Sequence, residues 1–292
     1  MKAKAGGFDT VRIPIRWHEY AANTAPYTID AKFMDRVAVA LDQALANNLN
    51  VVLNMHLYNP LYEDPQAEKA KFLAMWQQIA ERFKNLPNKR VVFEIMNEPG
   101  GKLTPELWNE YFLQAYKVVR QSNPNRYIMV GTAEWGGVNA MHKLKLPADD
   151  KLIFTVHYYE PFQFTHQGAG WAEGAEQWCG TRWTATEEQQ TLIRKRLDEV
   201  ATWAKAHNNI PVFLGEFGAY KKCSLPEDQV RWVNFVARES EKRGFSWAYW
   251  EFNSGFGCYG ATEKEGWNYL YHALIPEAQK APKGKIDRIR LH

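Results

Sequence analysis

Several features that mark common classes of protein are missing from this chain of 292 residues. No apolar run approaches the ~20 residues that span a bilayer, and the opening segment MKAKAGGFDTVRIP lacks the apolar core of a signal peptide. The 36 basic residues nearly balance the 33 acidic ones, so the strong basic surplus of a nucleic-acid-binding protein is absent. These absences predict a soluble globular chain that binds neither membranes nor nucleic acids.

Motifs for metals, nucleotides and redox chemistry are missing as well. The three cysteines, Cys179, Cys223 and Cys258, form no CxxC pair and allow one disulfide at most. The eight histidines include no HExxH or comparable spacing, so metal catalysis has little support. No glycine-rich phosphate loop follows any strand-like run. We therefore expect no metal and no cofactor.

Aromatic residues are abundant, since 12 Trp, 14 Tyr and 15 Phe make up 14% of the chain. Their flat, amphipathic side chains can stack on sugars, on bases or on one another. Short β-branched or aromatic runs alternate with stretches whose apolar residues recur three and four positions apart. The strand-like runs are 11–15, 51–56, 91–98, 127–132, 152–159, 211–218 and 245–252. The helix-like stretches are 33–44, 68–83, 105–122, 186–207 and 226–243.

This alternation predicts an α/β fold in which helices cover a parallel sheet. Nearly every strand-like run ends at a residue that can do chemistry, and in a (β/α)8 TIM barrel the carboxyl ends of all strands converge on one face. Such convergence would gather distant residues into one site, which favours an enzyme. No linker, internal repeat or low-complexity segment divides the chain, so we predict a single domain over residues 1–292.

Two carboxylates stand out at strand ends, Glu98 in EIMNEP and Glu216 in FLGEFG. Glycoside hydrolysis needs one protonated carboxyl group and one ionised carboxylate, roughly 5 to 5.5 Å apart in retaining enzymes. Opposite strands of a barrel could provide that spacing. Two alternatives stay open: Glu98 as a capping or first-turn acid of the helix after Pro99, and Glu216 as an ion-paired barrel acid.

Six motifs in order along almost the entire chain resemble glycoside hydrolase family 5, the endoglucanase and mannanase family of clan A. They are VRIPIRW, NMH, FEIMNEPGG, TVHYYEPF, FLGEFG and SWAYWEF. The segments TAEWGG and HYYEPFQFTHQGAGW are most similar to a bacterial endoglucanase branch that also accepts mannan. The resemblance implies a retaining mechanism with Glu98 as acid/base and Glu216 as nucleophile.

The same resemblance implies supporting roles for other residues. Arg12 is similar to an arginine near the nucleophile, where its positive charge favours the ionised carboxylate, and a buried pair with Glu94 is the alternative. Asn97 resembles an asparagine that hydrogen-bonds the sugar 2-hydroxyl, with an ordinary turn residue as its alternative. Trp250 resembles the tryptophan that forms the floor of the subsite for the cleaved sugar. The other candidates are Tyr159 (positioning the nucleophile) and His56, His157, Trp135, His166 and Trp171 (sugar contacts), each with core or loop packing as its alternative.

Two departures from the family pattern affect these expectations. Leu57 stands where this branch often has a second histidine after His56, so one donor to the sugar is lost. The chain also opens just before the family's second barrel strand, which predicts a barrel that lacks its first strand and most of its first helix. Truncation, closure by a partner molecule and insertion of the tail 283–292 are the three explanations left open. An open sheet exposes edges that favour self-association, and we expect weak or no activity unless the gap is filled.

We therefore predict a retaining endo-β-1,4-glucanase, a cellulase, that acts on cellulose, β-glucan or glucomannan. An endo-β-1,4-mannanase is the alternative within enzymes, and a non-catalytic glycan-binding protein with a defective barrel is the alternative outside them. The family is mostly secreted or periplasmic, so the resemblance implies export. A disulfide between Cys223 and Cys258, which follow successive strand-like runs, is an option that geometry must decide.

Overall fold

Short apolar strands with amphipathic helices between them give this chain a parallel α/β organisation. The computed structural model describes residues 2–260 and 264–276. They belong to two compact units, the first reaching Val156 and including Asn208–Pro211, the second containing His157–His207 and the residues from Val212 onward. The predicted strand insertion of the tail 283–292 lies outside the described residues.

The strands of the first unit are nearly continuously buried from β2 onward, as expected for parallel strands covered on both faces. They are β1 (Thr10–Ile15), β2 (Asn50–Met55), β3 (Val91–Glu94), β4 (Ile128–Val130) and β5 (Leu152–His157), whose last residue is assigned to the second unit. Each strand pairs in parallel with the next, so that Val51 lies opposite both Val11 and Val91, and Ile128 lies opposite Leu152. The carboxyl ends of these strands therefore lie at one edge of the sheet.

The three long helices of the first unit begin where the sequence supplies capping side chains. The helices of this unit are α1 (Lys2–Ala5), α2 (Ala31–Ala46), α3 (Asn59–Glu63), α4 (Pro65–Arg82) and α5 (Pro105–Ser122), with 3₁₀ turns at Trp17–Tyr20 and Val138–Lys143. The side chains of Asp30, Asp64 and Thr104 accept hydrogen bonds from the first turns of α2, α4 and α5. These bonds satisfy amides that have no partner within the helix.

The second unit contains two parallel strands, β6 (Val212–Glu216) and β7 (Ser246–Trp247), with Phe213 opposite Ser246. Its helices are α6 (Phe162–Thr165), α7 (Glu187–Ala206), α8 (Pro226–Lys242) and α9 (Tyr269–Leu274), with a 3₁₀ turn at Ala175–Trp178. Thr186 and Gln189 form a reciprocal capping box at the start of α7. The segment between α6 and α7 is long and, apart from this 3₁₀ turn, irregular.

The described residues contain seven strands that alternate with helices, one fewer than the eight of a (β/α)8 barrel. This confirms the predicted fold class, including the missing strand. The single domain over residues 1–292 stays a prediction. Between residues 2 and 276, leaving aside the gap at 261–263, no helix is both long and apolar enough to cross a membrane.

Arg126 ties the connection between α4 and β3 to the start of β4. Its fully buried guanidinium donates at 2.9 to 3.4 Å to backbone carbonyl oxygens of Phe83, Lys84, Leu86, Pro87 and Val91. Burial lowers the pKa of Arg126 to about 10. These carbonyl oxygens replace the water molecules that the guanidinium loses when it is buried.

The single disulfide among the described residues joins Cys179 to Cys223, with 5.2 Å between their Cα atoms. The option of a bond between Cys223 and Cys258 is wrong, because Cys258 is a buried free thiol. Burial raises the pKa of Cys258 to about 12. Periodicity could not rank the pairs, since Cys179 and Cys223 both lie in irregular segments whose course it does not predict.

Candidate active site

A buried charged network connects β1 and β3, the two strands that pair with β2 on either side. Arg12 on β1 donates from Nε and Nη2 to the two carboxylate oxygens of Glu94, both at 2.7 Å. Nη2 also donates to Oδ1 of Asn97 at 2.6 Å. The Arg12 and Glu94 side chains are 4% and 0% exposed, so they form a buried bidentate ion pair. The alternative partner considered for Arg12 is thus present, and the same guanidinium orients Asn97.

Asn97 and Glu98 follow β3 in an irregular segment. The backbone N–H of Asn97 donates to the carbonyl of Met55 at 2.9 Å, which ties this segment to the end of β2. Because Arg12 donates to Oδ1, the amide Nδ2 is the group of Asn97 that can donate elsewhere. Glu98 is half-buried. It does not cap α5, because Thr104 takes that position, so the capping alternative for Glu98 is wrong.

His56 directly follows β2 and is buried. Its Nδ1 lies 3.0 Å from Oδ1 of Asn54, a contact that orients the imidazole ring. Leu57 comes next with a φ of 43°, in the left-handed region that a residue with a Cβ rarely adopts. The turn after β2 is therefore strained at the position where the family often has a second histidine.

Trp135 lies on the loop after β4 and is 52% exposed. Its indole packs against Gly100, where an added Cβ would lie 2.6 Å from the ring. Its edge contacts Tyr62 with 5.4 Å between ring centroids, and its backbone N–H donates to the carbonyl of Pro99 at 3.0 Å. Both Glu134 and Trp135 have positive φ, 58° and 65°. The loop thus fixes the ring while leaving much of it accessible.

Glu216 ends β6 in the second unit and is 5% exposed. Its Oε2 accepts a hydrogen bond from the hydroxyl of Tyr159 at 2.9 Å and lies 3.7 Å from Nδ1 of His157. Its backbone carbonyl accepts from the N–H of Tyr158 at 2.9 Å. The contact that the family resemblance implies between Tyr159 and Glu216 is therefore present.

His166 is buried beside Tyr159, with 4.9 Å between their ring centroids. It stacks on Phe162 at 4.0 Å, and its Nδ1 lies 2.9 Å from the hydroxyl of Thr165. Burial lowers the pKa of His166 to about 4, although the negative charge of Glu216 opposes this shift. The imidazole is therefore uncharged at neutral pH.

Trp171 lies on the irregular segment after α6 and is 63% exposed. Its ring centroid lies 4.8 Å from that of Tyr220 and 6.3 Å from that of Phe256. Phe256 also contacts His166 at 5.6 Å. We call these four residues, His166, Trp171, Tyr220 and Phe256, the aromatic wall. Sequence reasoning missed Tyr220 and Phe256, although the two glycines that flank Phe256 after β7 are a signal of close packing.

Trp250 follows β7 and is half-buried. Its backbone N–H donates to the carbonyl of Phe217 at 2.9 Å, and its own carbonyl oxygen lies so close to Gly218 that no Cβ fits there. The peptide bond between Trp250 and Glu251 is cis. These backbone contacts hold Trp250 against the segment that follows Glu216.

Each unit carries part of the predicted set. The first contains Arg12, His56, Asn97, Glu98 and Trp135, and the second contains His157, Tyr159, His166, Trp171, Glu216 and Trp250. Contacts within the first unit join Arg12 to Asn97, and contacts within the second join His157 and Tyr159 to Glu216. Glu98, His157 and Glu216 also have side chains of the kind that bind metal ions. Paired carboxyl groups hydrolyse glycosides without a metal.

The sequence pattern of the family described as Cellulase (glycosyl hydrolase family 5) matches residues 1–255. The chain belongs to glycosyl hydrolase family 5. Endoglucanase H of Acetivibrio thermocellus is 37% identical to this family 5 chain over 254 residues, which are 87% of the chain and 26% of that protein. Endoglucanase B of Clostridium cellulovorans is 30% identical over 271 residues, covering 86% of the chain and 59% of that protein. The chain therefore spans a minor part of the first relative and just over half of the second.

Solved structures agree with the family assignment. Thermotoga maritima Cel5A in complex with cellobiose is 46% identical, with a TM-score of 0.90 over 93% of this chain and 87% of that one. A structure of Cel5A with mannotriose has the same identity, TM-score and coverage. The family resemblance inferred from six short motifs is confirmed.

Proposed function

We propose that this family 5 chain is an endo-β-1,4-glucanase that cleaves internal glucosidic bonds with retention of configuration, using no metal and no cofactor. The names of its relatives support this proposal, since both are endoglucanases. The cellobiose bound to Cel5A supports a β-1,4-glucan as substrate. The observation that carries the mechanism is the buried Glu216 carboxylate, whose Oε2 accepts a hydrogen bond from the Tyr159 hydroxyl at 2.9 Å.

Two carboxyl groups carry the proposed reaction. Glu216 attacks the anomeric carbon while Glu98 donates its proton to the leaving sugar oxygen, so the glycosidic C–O bond breaks and an ester forms at Glu216. Glu98, now ionised, then takes a proton from a water whose oxygen attacks the anomeric carbon, and the ester to Glu216 breaks. Both residues return to their starting forms, and two displacements retain the configuration.

Asn97 is proposed to bind the 2-hydroxyl of the sugar that is cleaved. Arg12 donates to its Oδ1, so the amide presents Nδ2 as a donor to that hydroxyl. Hydrogen bonds to the 2-hydroxyl strengthen in the transition state of glycoside hydrolysis. Arg12 is thereby a positioning residue, because it fixes which end of the amide faces the substrate.

Exposed or half-buried indoles are proposed to bind the flat faces of the sugars. Trp135 and Trp171 are both more than half exposed and are held by their neighbours, which reduces the entropy lost on binding. Trp250 is proposed as the floor beneath the cleaved sugar. The further proposed sugar contacts are His56, His157 and His166.

Mannan is proposed as a second substrate, because Cel5A is also known with mannotriose bound. Mannose differs from glucose in the orientation of the 2-hydroxyl, the group assigned to Asn97. We expect hydrolysis of glucomannan together with carboxymethylcellulose. Activity on mannan without activity on glucans would favour the endo-β-1,4-mannanase instead.

The decisive experiment compares reducing-sugar release from carboxymethylcellulose and glucomannan by the wild type, Glu98→Gln and Glu216→Gln. Each substitution keeps the side-chain size but removes the acid or the nucleophile, so we expect losses of about 10³-fold or more in kcat. Glu187→Gln, at an exposed position in the first turn of α7, is the matched control and should retain full activity. If the wild type binds these glycans but releases no more sugar than the two variants, the non-catalytic glycan-binding alternative is correct.

Rescue by azide distinguishes the two carboxyl groups. Azide needs no general base, so Glu98→Ala acting on an aryl β-cellobioside should form the β-glycosyl azide from the covalent intermediate. With Glu216→Ala, azide replaces the nucleophile in a single inversion and should form the α-glycosyl azide. The opposite pair of products would exchange the two roles.

Export from the cytoplasm is part of the proposal. The bond between Cys179 and Cys223 supports it, because structural disulfides persist mainly in oxidising compartments. Fractionation of the source cells should recover the protein outside the cytoplasm with this bond intact. Recovery of the reduced protein in the cytoplasm would contradict the proposal.

Self-association through an open sheet edge is also proposed. Within the first unit β1 pairs with β2, and the carbonyl oxygens of Asp9 and Ile15 accept hydrogen bonds from Asn50 and His56 on that side, so Pro14 faces the other edge. Pro14 faces that edge without an N–H, which limits the pairing to a short segment. Sedimentation over a range of concentrations should show a weak dimer, whereas a monomer at every concentration would contradict this proposal.

A further inference from the structure

The disulfide links the irregular segment after α6 to the loop after β6, the strand that ends in Glu216. Cys223 belongs to the loop that follows β6, and Cys179 belongs to the irregular segment that carries Trp171. Tyr220, the ring neighbour of Trp171 at 4.8 Å, lies in the same loop as Cys223. Each cysteine of the cross-link thus belongs to the same chain segment as one of the two contacting rings, Cys179 with Trp171 and Cys223 with Tyr220.

Both sulfur atoms pack directly beneath the turn that carries Trp171. A Cβ added at Gly168 would lie 2.6 Å from Sγ of Cys223 and 3.4 Å from Sγ of Cys179. Gly168 has a φ of 73°, and its N–H donates to the carbonyl of Ala175 at 2.8 Å. The backbone therefore closes a turn over the disulfide, and Trp171 lies on this turn.

Few other bonds tie this turn to the loop after β6. The backbone N–H of Tyr220 donates to the carbonyl of Thr165 at 2.8 Å, before the turn begins. Lys222 pairs with Glu176 at 2.9 Å, but both side chains are exposed and such a pair contributes little. The covalent bond is therefore the strongest constraint described between the turn and the loop.

The aromatic wall also reaches Glu216 through side-chain contacts. His166 contacts both Phe256 and Tyr159, and Tyr159 donates to Glu216. These interior contacts do not involve the sulfur atoms. Loss of the disulfide should therefore displace Trp171 while the hydrogen bond from Tyr159 to Glu216 persists.

We infer that the disulfide between Cys179 and Cys223 positions Trp171 against Tyr220 as one rigid surface that binds a sugar unit of a long β-1,4-glucan chain. This inference rests on the proposed function and deepens it. Breaking the bond weakens the binding of long chains and leaves bond cleavage unchanged, because a mobile platform must be ordered at the expense of binding free energy. The two cysteines are positioning residues.

The test compares Cys179→Ser and Cys223→Ser with the wild type on cellohexaose and on an aryl β-cellobioside. We expect KM for cellohexaose to rise about five- to tenfold, with kcat within about twofold and the short substrate little changed. Cys258→Ser, which removes the buried free thiol, is the matched control and should leave both KM values unchanged. An equal rise of KM for both substrates would overturn the inference.

A double-variant comparison separates positioning of Trp171 from general loosening. Trp171→Ala should raise KM for cellohexaose in the wild type but add little in Cys179→Ser, because the platform is already lost. Full additivity of the two effects would overturn the inference. If the wild type hydrolyses neither substrate, or Glu216→Gln is as active as the wild type, the proposed function fails rather than the role of the disulfide.

Reduction of the folded wild type provides a measurement that does not depend on the folding of a variant. Dithiothreitol is added until thiol counting shows the bond open, and circular dichroism monitors the fold. KM for cellohexaose should rise reversibly and return on reoxidation. Unchanged KM with an open bond, or unfolding of the chain on reduction, would overturn the inference.

Discussion

At the scale of single residues, the first unit orients its polar side chains through one buried cation. Arg12 donates to the Glu94 carboxylate from Nε and Nη2, and the second hydrogen of Nη2 is donated to Asn97. Lysine has no planar fork and could not make these bonds in the same geometry. An ion pair of this kind is weak evidence for stability, and its value here is the fixed orientation of Asn97.

Gly100 is expected to determine the position of Trp135. Gly100→Ala places a methyl group where the atoms of the indole now lie, 2.6 Å from the nearest, so the ring must move. We expect KM for cellohexaose to rise about three- to tenfold with little change in kcat, as measured by steady-state kinetics.

Gly137→Ala is the matched control, because its nearest neighbour would lie at 3.7 Å and its φ of −75° suits alanine. Its kinetics should equal those of the wild type. If Gly100→Ala raised KM further in a Trp135→Ala background, the effect of Gly100 would not pass through the indole.

His166 is expected to make the folded state less stable in acid. Its pKa is about 4 in the folded chain and near 6.5 when unfolded, so the unfolded state takes up a proton first as the pH falls. The free energy of unfolding therefore falls progressively between pH 6.5 and 4, by roughly 3 kcal/mol in total. Urea unfolding of the wild type and His166→Gln should therefore show a smaller loss of stability in the variant across this range.

His142→Gln changes an exposed histidine and leaves His166 in place. Its unfolding free energy should keep the dependence of the wild type on pH. A His166→Gln variant whose pH dependence also matched that of the wild type would contradict the assignment.

At the scale of elements, all seven strands and the five long helices could be predicted from periodicity. The prediction for α5 matches its bounds at Pro105 and Ser122, because proline at the first turn and the Thr104 cap mark its start. Six of the seven strand predictions run too far at their carboxyl ends, and only that for β1 ends at the observed residue, Ile15. β3 ends at Glu94 rather than Glu98, since Asn97 and Glu98 leave the sheet to make contacts that hydrophobic pattern does not encode.

Periodicity indicated candidate residues only near strand ends, and the family motifs supplied others, such as His166 and Trp171. Tyr159 and Glu216 belong to predicted strand ends, so their contact follows from the fold and the family motifs. The pairing of Cys179 with Cys223 depends on the course of an irregular segment, which periodicity does not describe. Tyr220 and Phe256 were missed for the same reason.

Arg126 is expected to be the most important polar contributor to the packing of α4 against β3 and β4. Arg126→Lys leaves one ammonium group for a set of five carbonyl oxygens, so several buried acceptors lose their donor. We expect a loss of about 2–4 kcal/mol in the free energy of unfolding, measured with guanidinium chloride.

Arg82→Lys is the control for this effect. Arg82 is the last residue of α4, its side chain is 46% exposed, and its ion pair with Asp35 spans 3.3 Å at the surface. Its loss should stay within about 0.5 kcal/mol. Equal losses for the two variants would mean that the buried bonds of Arg126 contribute no more than a surface contact.

At the scale of the whole molecule, the proposed acid/base and nucleophile come from different units. Glu98 belongs to the first unit and Glu216 to the second. Retaining hydrolysis requires both carboxyl groups at the same bond. The proposed function therefore requires a contribution from each unit to every turnover.

Interdependence of the two residues should appear as non-additivity. We expect the double variant Glu98→Gln with Glu216→Gln to be about as inactive on carboxymethylcellulose as Glu216→Gln alone, because residues that act as one unit lose their effect together. The rates are compared after removal of contaminating cellulase activity. Losses that multiply would indicate that the two carboxyl groups act independently.

The free thiol of Cys258 has a consequence for thiol chemistry in the native state. With a pKa of about 12, roughly one molecule in 10⁵ carries the thiolate at pH 7, and the thiolate is the form that attacks a disulfide. The folded chain therefore protects its own cross-link from exchange. That protection ends on unfolding, when the Cys258 thiol can ionise and attack the disulfide. Once a reductant has opened the bond, all three cysteines are thiols, and scrambled pairs compete with the native one during oxidative refolding.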